Sequence, residues 1–316
     1  ITSDASVIER AADMGVTYFD TARGYQSGNC ERMVGAALKS RRKQLVLSTK
    51  SAKEDKESAL QELETSLKEL QTDYVDIWYI HAKSKAEQIT EGRLEAQRIA
   101  KQKGMIRFSG VSTHAGFEEV IPAAIKSGAI DVILSSYNFT MGSTIDPLLA
   151  DAKKAGLGIV AMKVMAGGFR RVKPGDPNYA KFKQEGVFPA MLRWSMRNPN
   201  IDTTIPSITD HDQLDENFAC MDKGFSPGDA TLLAVQRDFI TPLYCRACGK
   251  CSGVCPKGLP IPDMMRYVMY AEGYGQFGMA REQFQMLPAE VREVSCKDCS
   301  TCAVRCPNHV DVMARM

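Results

Sequence analysis

The chain has 316 residues, of which 44% are hydrophobic, enough for one large domain plus a small one and too apolar for a disordered chain. Lys and Arg total 40 against 38 Asp and Glu, so charge gives no case for nucleic acid or an anionic membrane surface. No run of about eighteen apolar residues predicts a transmembrane helix, and no signal-peptide pattern is visible.

A helical pattern over residues 3–14 comes first. Such a helix should follow a strand, so the first strand of the fold is expected upstream of Ile1. Short apolar runs then predict strands at Val16–Phe19, Leu45–Ser48, Val75–Ile80, Phe108–Val111, Val132–Leu134, Gly158–Met162 and Asp202–Ile205. Amphipathic stretches separate them: Leu60, Leu63, Leu67 and Leu70 have the spacing of one buried helix face. Strands alternating with helices at roughly thirty-residue intervals predict parallel strands with crossover helices, hence a (β/α)8 TIM barrel. An open doubly wound sheet would carry a Gly-rich turn after its first strand, and no G-x-G-x-x-G stands there. Gly167–Gln184 reads as a long loop that could cover a pocket, and Phe225–Asp229 as a loop marking a domain boundary. The expected domains are residues 1–225, the barrel, and 226–316, a smaller, mostly helical domain that holds eight of the cysteines.

Three successive strands end in ionisable residues: Asp20, with Tyr25 in the loop beyond it, then Lys50, then His81. The carboxyl ends of barrel strands share one face, so these side chains can converge. The set suits carbonyl reduction. Hydride delivered to a carbonyl carbon leaves negative charge on oxygen, which a proton donor must meet. Tyrosine is a weak acid, with a reference pKa of about 10, and a neighbouring lysine cation would lower that value. A carboxylate can hold the lysine, and a histidine can orient the carbonyl. His114, Cys30 and Cys220 read as structural residues.

The segments Phe19-Asp20-Thr21-Ala22-Arg23-Gly24-Tyr25, Ser48-Thr49-Lys50, Ile80-His81, Gly110-Val111-Ser112 and Ile205-Pro206 through Glu216-Asn217 resemble motifs of the aldo-keto reductases, over roughly residues 5–220. The resemblance implies a barrel using NADP(H) or NAD(H) on a small carbonyl or alcohol substrate, with Asp20, Tyr25, Lys50 and His81 as a catalytic tetrad and Tyr25 as general acid–base. It also implies that Ser112 meets the nicotinamide carboxamide and that Glu216 and Asn217 lie near the adenine. Along that cofactor Thr113 stands where an asparagine is usual, Ser207, Thr209 and Gln213 stand where family members place basic residues against the 2′-phosphate, and Lys163 supplies a nearby compensating cation. The chain departs from the family pattern at Leu134, where a glutamine is usual, and at Met162, where many members stack a tyrosine.

Eight of the ten cysteines fall in two C-x-x-C-x-x-C-x-x-x-C-P runs: Cys245, Cys248, Cys251 and Cys255 before Pro256, and Cys296, Cys299, Cys302 and Cys306 before Pro307. This is the spacing of ferredoxin-type [4Fe–4S] ligation, in which the fourth cysteine serves the other cluster. Two clusters are therefore expected, one on Cys245, Cys248, Cys251 and Cys306, the other on Cys296, Cys299, Cys302 and Cys255. Zinc sites use pairs of C-x-x-C or histidine partners instead. In the spacer, Met264–Ala271 and Gly278–Met286 read as helices.

Iron–sulfur aldo-keto reductases are similar to the chain along most of its length. Three functions remain open at this level: an oxidoreductase whose clusters exchange electrons with a redox partner protein, an electron-transfer or docking subunit with an idle barrel, and a barrel whose clusters are purely structural. Cluster assembly needs reduced thiols, which points to the cytoplasm, with export by an upstream twin-arginine signal as the alternative.

Overall fold

The computed structural model describes the chain apart from residues 1, 142–143, 168–174, 176–179, 181–183 and 247. Seven strands, β1 (Tyr18–Asp20), β2 (Val46–Ser51), β3 (Val75–Lys83), β4 (Ile106–Thr113), β5 (Val132–Ser136), β6 (Gly158–Met162) and β7 (Thr203–Thr204), pair in parallel and in sequential order. Helices alternate with them: α1 (Ala5–Asp13), α2 (Asn29–Leu38), α3 (Lys56–Glu69), α4 (Glu91–Gln102), α5 (Phe117–Ser127), α6 (Asp146–Lys154), α7 (Val187–Met196) and α8 (His211–Phe218). Seven curled strands with alternating helices form a (β/α)8-type barrel, as the sequence predicts.

Every predicted strand is present, and the shifts at their ends have local causes. β1 begins at Tyr18 rather than Val16 because the Val16 N–H bonds back to Ala11 O (2.9 Å), closing the end of α1. β4 starts at Ile106 because this residue pairs with Val75 at the start of β3. The helix predicted from the leucine spacing is α3, whose N-cap Asp55 accepts from Ser58 N. It buries Leu63 and Leu67, with Leu70 buried at its C-cap.

Period-two alternation divides the strands between two apolar layers. Ile77, Tyr79, Val132, Leu134, Val160 and Met162 pack inside the barrel with Tyr18, Val46 and Ile205. Leu47 and Trp78 face outward against Val34, Leu38, Leu63 and Leu67 of the helices, and Val75, at the very start of β3, packs with the same layer. Truncating a fully buried leucine such as Leu63 to alanine would cost about 2–5 kcal/mol. Gly110 of β4 makes room for the interior: a Cβ there would lie 2.3 Å from the Tyr79 ring.

The chain divides into two compact units. One comprises Ile1–Tyr137, Ser143–Val164 and Ser195–Lys223; the other comprises Asn138–Gly142, Met165–Trp194 and Gly224–Met316. The second unit contains α9 (Pro227–Ile240), α10 (Ile261–Val268), α11 (Phe277–Gln285), α12 (Ala289–Arg292) and α13 (Val312–Arg315). Of the predicted loop Phe225–Asp229, only Phe225 and Ser226 lie outside a helix; Pro227–Asp229 begin α9, where Ser226 and Asp229 form a capping box, and Arg193 bonds Asp229 at 2.6 Å. The helices predicted in the cysteine spacer correspond to α10 with the π-turn Met269–Gly273, and to α11. Most of the predicted loop Gly167–Gln184 lies outside the described residues. Among the described residues, no helix is long and apolar enough to cross a membrane.

Candidate active site and cysteine centre

Strand alternation puts Ser48 and Lys50 of β2 on the face shared with Tyr18 and Asp20 of β1 and with Tyr79 and His81 of β3. Lys50 is 2% exposed, and its ammonium donates to Asp20 Oδ2 (2.5 Å) and to the carbonyl of Thr21 (2.6 Å). Burial lowers the Lys50 pKa from its ordinary value, against the pull of the Asp20 carboxylate. The other Asp20 oxygen accepts from Ser48 Oγ at 2.6 Å, so both carboxylate oxygens are engaged.

Tyr25 stands at the start of a short 3-10 turn, Tyr25–Gly28. Its N–H bonds Ala22 O (3.0 Å), and the Arg23 N–H bonds Lys50 O (3.3 Å), tying the loop to the strand that carries the lysine. The Lys50 ammonium lies 5.1 Å from the centre of the Tyr25 ring. The Tyr25 and His81 rings meet edge to face, centroids 5.9 Å apart. Just past His81 the pairing of β3 with β4 shifts register, and Ala82 takes φ 53°. Ser112 Oγ accepts the Ala82 N–H at 2.7 Å and so fixes the backbone that carries the histidine.

The structure thus brings Asp20, Tyr25, Lys50 and His81 together. An ammonium held by a carboxylate beside a phenol favours proton release from that phenol, and the imidazole edge adds a polar group at the same place. The expected nicotinamide contacts are distributed along the same barrel. Ser112 and Thr113 end β4, both fully buried, and Thr113 Oγ1 donates to Ala115 O. Lys163 follows β6 with φ 58°, and its charge acts on Lys50. Ser207 lies in the loop after β7; Gln213, Glu216 and Asn217 lie on α8. The Gln213 amide bonds Thr209 Oγ1 at 2.8 Å. Leu134 and Met162 belong to the apolar interior of the barrel. His114 is within 3.3 Å of Ser136 Oγ.

Two features escape the sequence reading. Ser48 orients Asp20, and the hydroxyls of Tyr18 and Tyr79 meet at 2.9 Å below the site. The signal for both was the period of two, since each lies two residues from Asp20, Lys50 or His81. A groove of about 910 Å³ lined by Lys39, Arg42, Lys68 and Tyr74 is elsewhere, where β2 and β3 begin.

In the second unit none of the eight motif cysteines is in a disulfide. Cys245, Cys251, Cys255, Cys296, Cys302 and Cys306 pack around an apolar core of Leu259, Ile261, Met265, Val304, Val310 and Val312. Burial raises the Cys251 pKa, helped by neighbouring Cys248 and Cys306; burial raises that of Cys296, helped by Cys299, Cys255 and Cys302. Each C-x-x-C-x-x-C run therefore has as neighbour the pre-proline cysteine of the other run. Among the described residues, no three side chains close on a single metal ion. Asn308 Nδ2 approaches Cys248 Sγ at 3.8 Å.

Comparison with known proteins agrees with both parts. The model of the Aldo/keto reductase family matches residues 2–187, and that of a 4Fe-4S dicluster domain matches residues 244–310. An uncharacterized oxidoreductase of Bacillus subtilis (strain 168) is 29% identical over 195 residues, 57% of this chain and 62% of the Bacillus protein; the match thus spans less than two thirds of that relative. L-galactose dehydrogenase of Arabidopsis thaliana is 25% identical over 245 residues, 68% of this chain and 77% of the plant protein. An aldo-keto reductase from Klebsiella pneumoniae in complex with NADPH superimposes with a TM-score of 0.59 at 23% identity, covering 74% of this chain and 84% of that one, which shows the fold. The chain belongs to the aldo/keto reductase family of oxidoreductases and carries a 4Fe-4S dicluster domain towards its C-terminal end.

Proposed function

We propose that the barrel interconverts a small carbonyl compound and its alcohol with NADP(H) or NAD(H), and that residues 226–316 form a ferredoxin-type domain holding two [4Fe–4S] clusters. The observation that carries the first part is the Lys50 ammonium, held by Asp20, 5.1 Å from the Tyr25 ring, with His81 at the edge of that ring. The NADPH bound by the Klebsiella protein and the sugar named in the plant dehydrogenase, a molecule with both carbonyl and hydroxyl chemistry, support the cofactor and substrate class.

The nicotinamide, when bound, supplies or accepts a hydride. The Tyr25 hydroxyl gives its proton to the oxygen that becomes negative, and takes it back in the oxidative direction. Lys50 stabilises the phenolate left behind, Asp20 fixes the lysine, and His81 orients the carbonyl oxygen. Positioned acid–base groups of this kind contribute about 10²–10⁴-fold to rate.

Cys245, Cys248, Cys251 and Cys306 would hold one cluster, and Cys296, Cys299, Cys302 and Cys255 the other, as their mutual neighbours suggest. Such clusters exchange single electrons, so a redox partner protein is the expected counterpart. Titrating the anaerobically purified holoprotein with NADPH and NADH, while following nicotinamide fluorescence and cluster absorbance together, tests the reading. Binding by either nicotinamide, with turnover abolished by Tyr25→Phe, is the expected result. No fluorescence response to either cofactor would sink the enzymatic reading.

A further inference from the structure

Outside the four residues at the strand tips, a second charged group is buried close by. Glu31 of α2 is fully buried. Its Oε2 lies 2.7 Å from Arg23 Nη1, and its Oε1 accepts from Thr49 Oγ1 at 2.6 Å. Burial raises the Glu31 pKa, opposed by the hydroxyls of Thr49 and Ser66 and then by Arg23. One carboxylate therefore meets the loop that carries Tyr25, the strand that carries Lys50, and α3.

The segment between Arg23 and Glu31 needs such a hold. Gln26, Ser27 and Gly28 have φ of 52°, 51° and 85°, three left-handed residues in succession, two of them not glycine. Left-handed backbone at such residues persists only where the surroundings enforce it. A Cβ on Gly28 would lie 1.3 Å from Arg23 Nη2, so any side chain there would displace the guanidinium, and its φ of 85° itself favours glycine. The guanidinium thus lies against the turn that directly follows Tyr25, and Glu31 anchors the guanidinium.

We infer that Arg23 and Glu31 are a positioning pair: they lock the turn after Tyr25 so that its phenol stays between Lys50 and His81. This rests on the role proposed above for Tyr25. Neither residue touches the reacting atoms. Breaking a buried ion pair on one side destabilises a fold, whereas removing both charges is often nearly neutral. Stability and positioning are therefore separable in this pair.

The test compares wild type, Glu31→Gln, the double variant Arg23→Met/Glu31→Gln, and Tyr25→Phe as holoproteins. The readouts are melting temperature, NADPH binding by fluorescence, and the pH dependence of benzaldehyde reduction. The double variant is expected to melt near wild type and bind NADPH within about twofold. Its kcat should fall about 10²-fold, the effect of roughly 1 Å of misplacement. The alkaline limb of kcat/KM should move upward in pH as the phenol loses the lysine's field. A double variant with wild-type kcat and an unmoved limb, alongside an inactive Tyr25→Phe, would overturn the pair alone. An active Tyr25→Phe would overturn the role of Tyr25, and the pair's with it.

Discussion

The Lys50 ammonium and the Asp20 carboxylate lie 2.5 Å apart with 2% and 9% of their side chains exposed. Water cannot substitute for either partner at that burial. Removing one charge of such a pair leaves the other uncompensated, at a cost of about 3–5 kcal/mol. Asp20→Asn should therefore lower the melting temperature and leave Lys50 with only the Thr21 carbonyl and a neutral amide, dropping its pKa further from the ordinary lysine value. A lysine that is neutral for more of the pH range supports the Tyr25 phenolate less. We expect turnover to fall about 10²-fold in Asp20→Asn, and to vanish in Lys50→Met. Steady-state kinetics with thermal melting checks this; wild-type turnover in Asp20→Asn would refute it.

Those two residues were readable from the sequence because each directly follows an apolar run, and a barrel gathers strand ends. His81 was readable for the same reason. Tyr25 lies beyond its strand and needed the surrounding motif. Arg23 and Glu31 were hidden: their contact depends on left-handed backbone at Gln26 and Ser27, which neither side chain foretells. Ser112 was marked as a cofactor contact, and its hydroxyl also accepts from Ala82 N, a bond created by a register shift that no period reveals. Phe225–Asp229 misled because the Ser, Pro and Asp that punctuate a loop also cap a helix. The grouping of Asn138–Gly142 and Met165–Trp194 with the C-terminal unit is tertiary packing, which local pattern does not encode.

The crossed arrangement of the cysteines makes a distinguishable prediction. Cys251 neighbours Cys248 and Cys306, while Cys296 neighbours Cys255 as well as Cys299 and Cys302. Cys306→Ala should therefore disturb the cluster held by the first run, and Cys255→Ala the cluster held by the second. Each variant should lose up to about half its iron and acid-labile sulfide, with a different signal missing from the reduced EPR spectrum. Identical residual spectra from both variants would contradict the crossing.

Arg246 lies between two of these cysteines in sequence, and its charge interacts with Cys245, Cys248 and Cys306. Its Nε and Nη2 are buried without a hydrogen-bond partner among the described residues. An unneutralised cation close to a cluster stabilises the added electron. Around Cys296 the nearby cation is Lys257, which is tied to Ser295 O at 2.7 Å and faces Asp298 at 3.6 Å. Arg246→Gln should lower the midpoint potential of the Cys306-ligated cluster, by up to about 59 mV, the equivalent of a tenfold change for one electron. The other cluster should be little affected. An anaerobic redox titration followed by EPR measures both. Equal shifts in the two clusters would show that Arg246 does not act locally.

Lys83 gives the pH dependence a sign. It ends β3 and is 7% exposed, and burial together with the Arg93 guanidinium lowers its pKa to about 8, with Glu54 pulling the other way. In the unfolded chain the same group titrates near its ordinary value of about 10.4. Below about pH 8 both states are protonated, and the folded state bears the whole cost of the buried charge, up to roughly 3 kcal/mol. Above that pH the folded protein releases the proton while the unfolded chain still holds it. The unfolded state then binds more protons, so this residue's contribution to stability improves as pH rises towards the unfolded value. Lys83→Met keeps the length of the side chain and removes the charge. It should melt higher than wild type at about pH 6.5, with the gap shrinking by about pH 9.5. A gap of the same size at both pH values would mean that Lys83 keeps its proton in the folded protein, and that its burial is compensated by a partner other than Glu54.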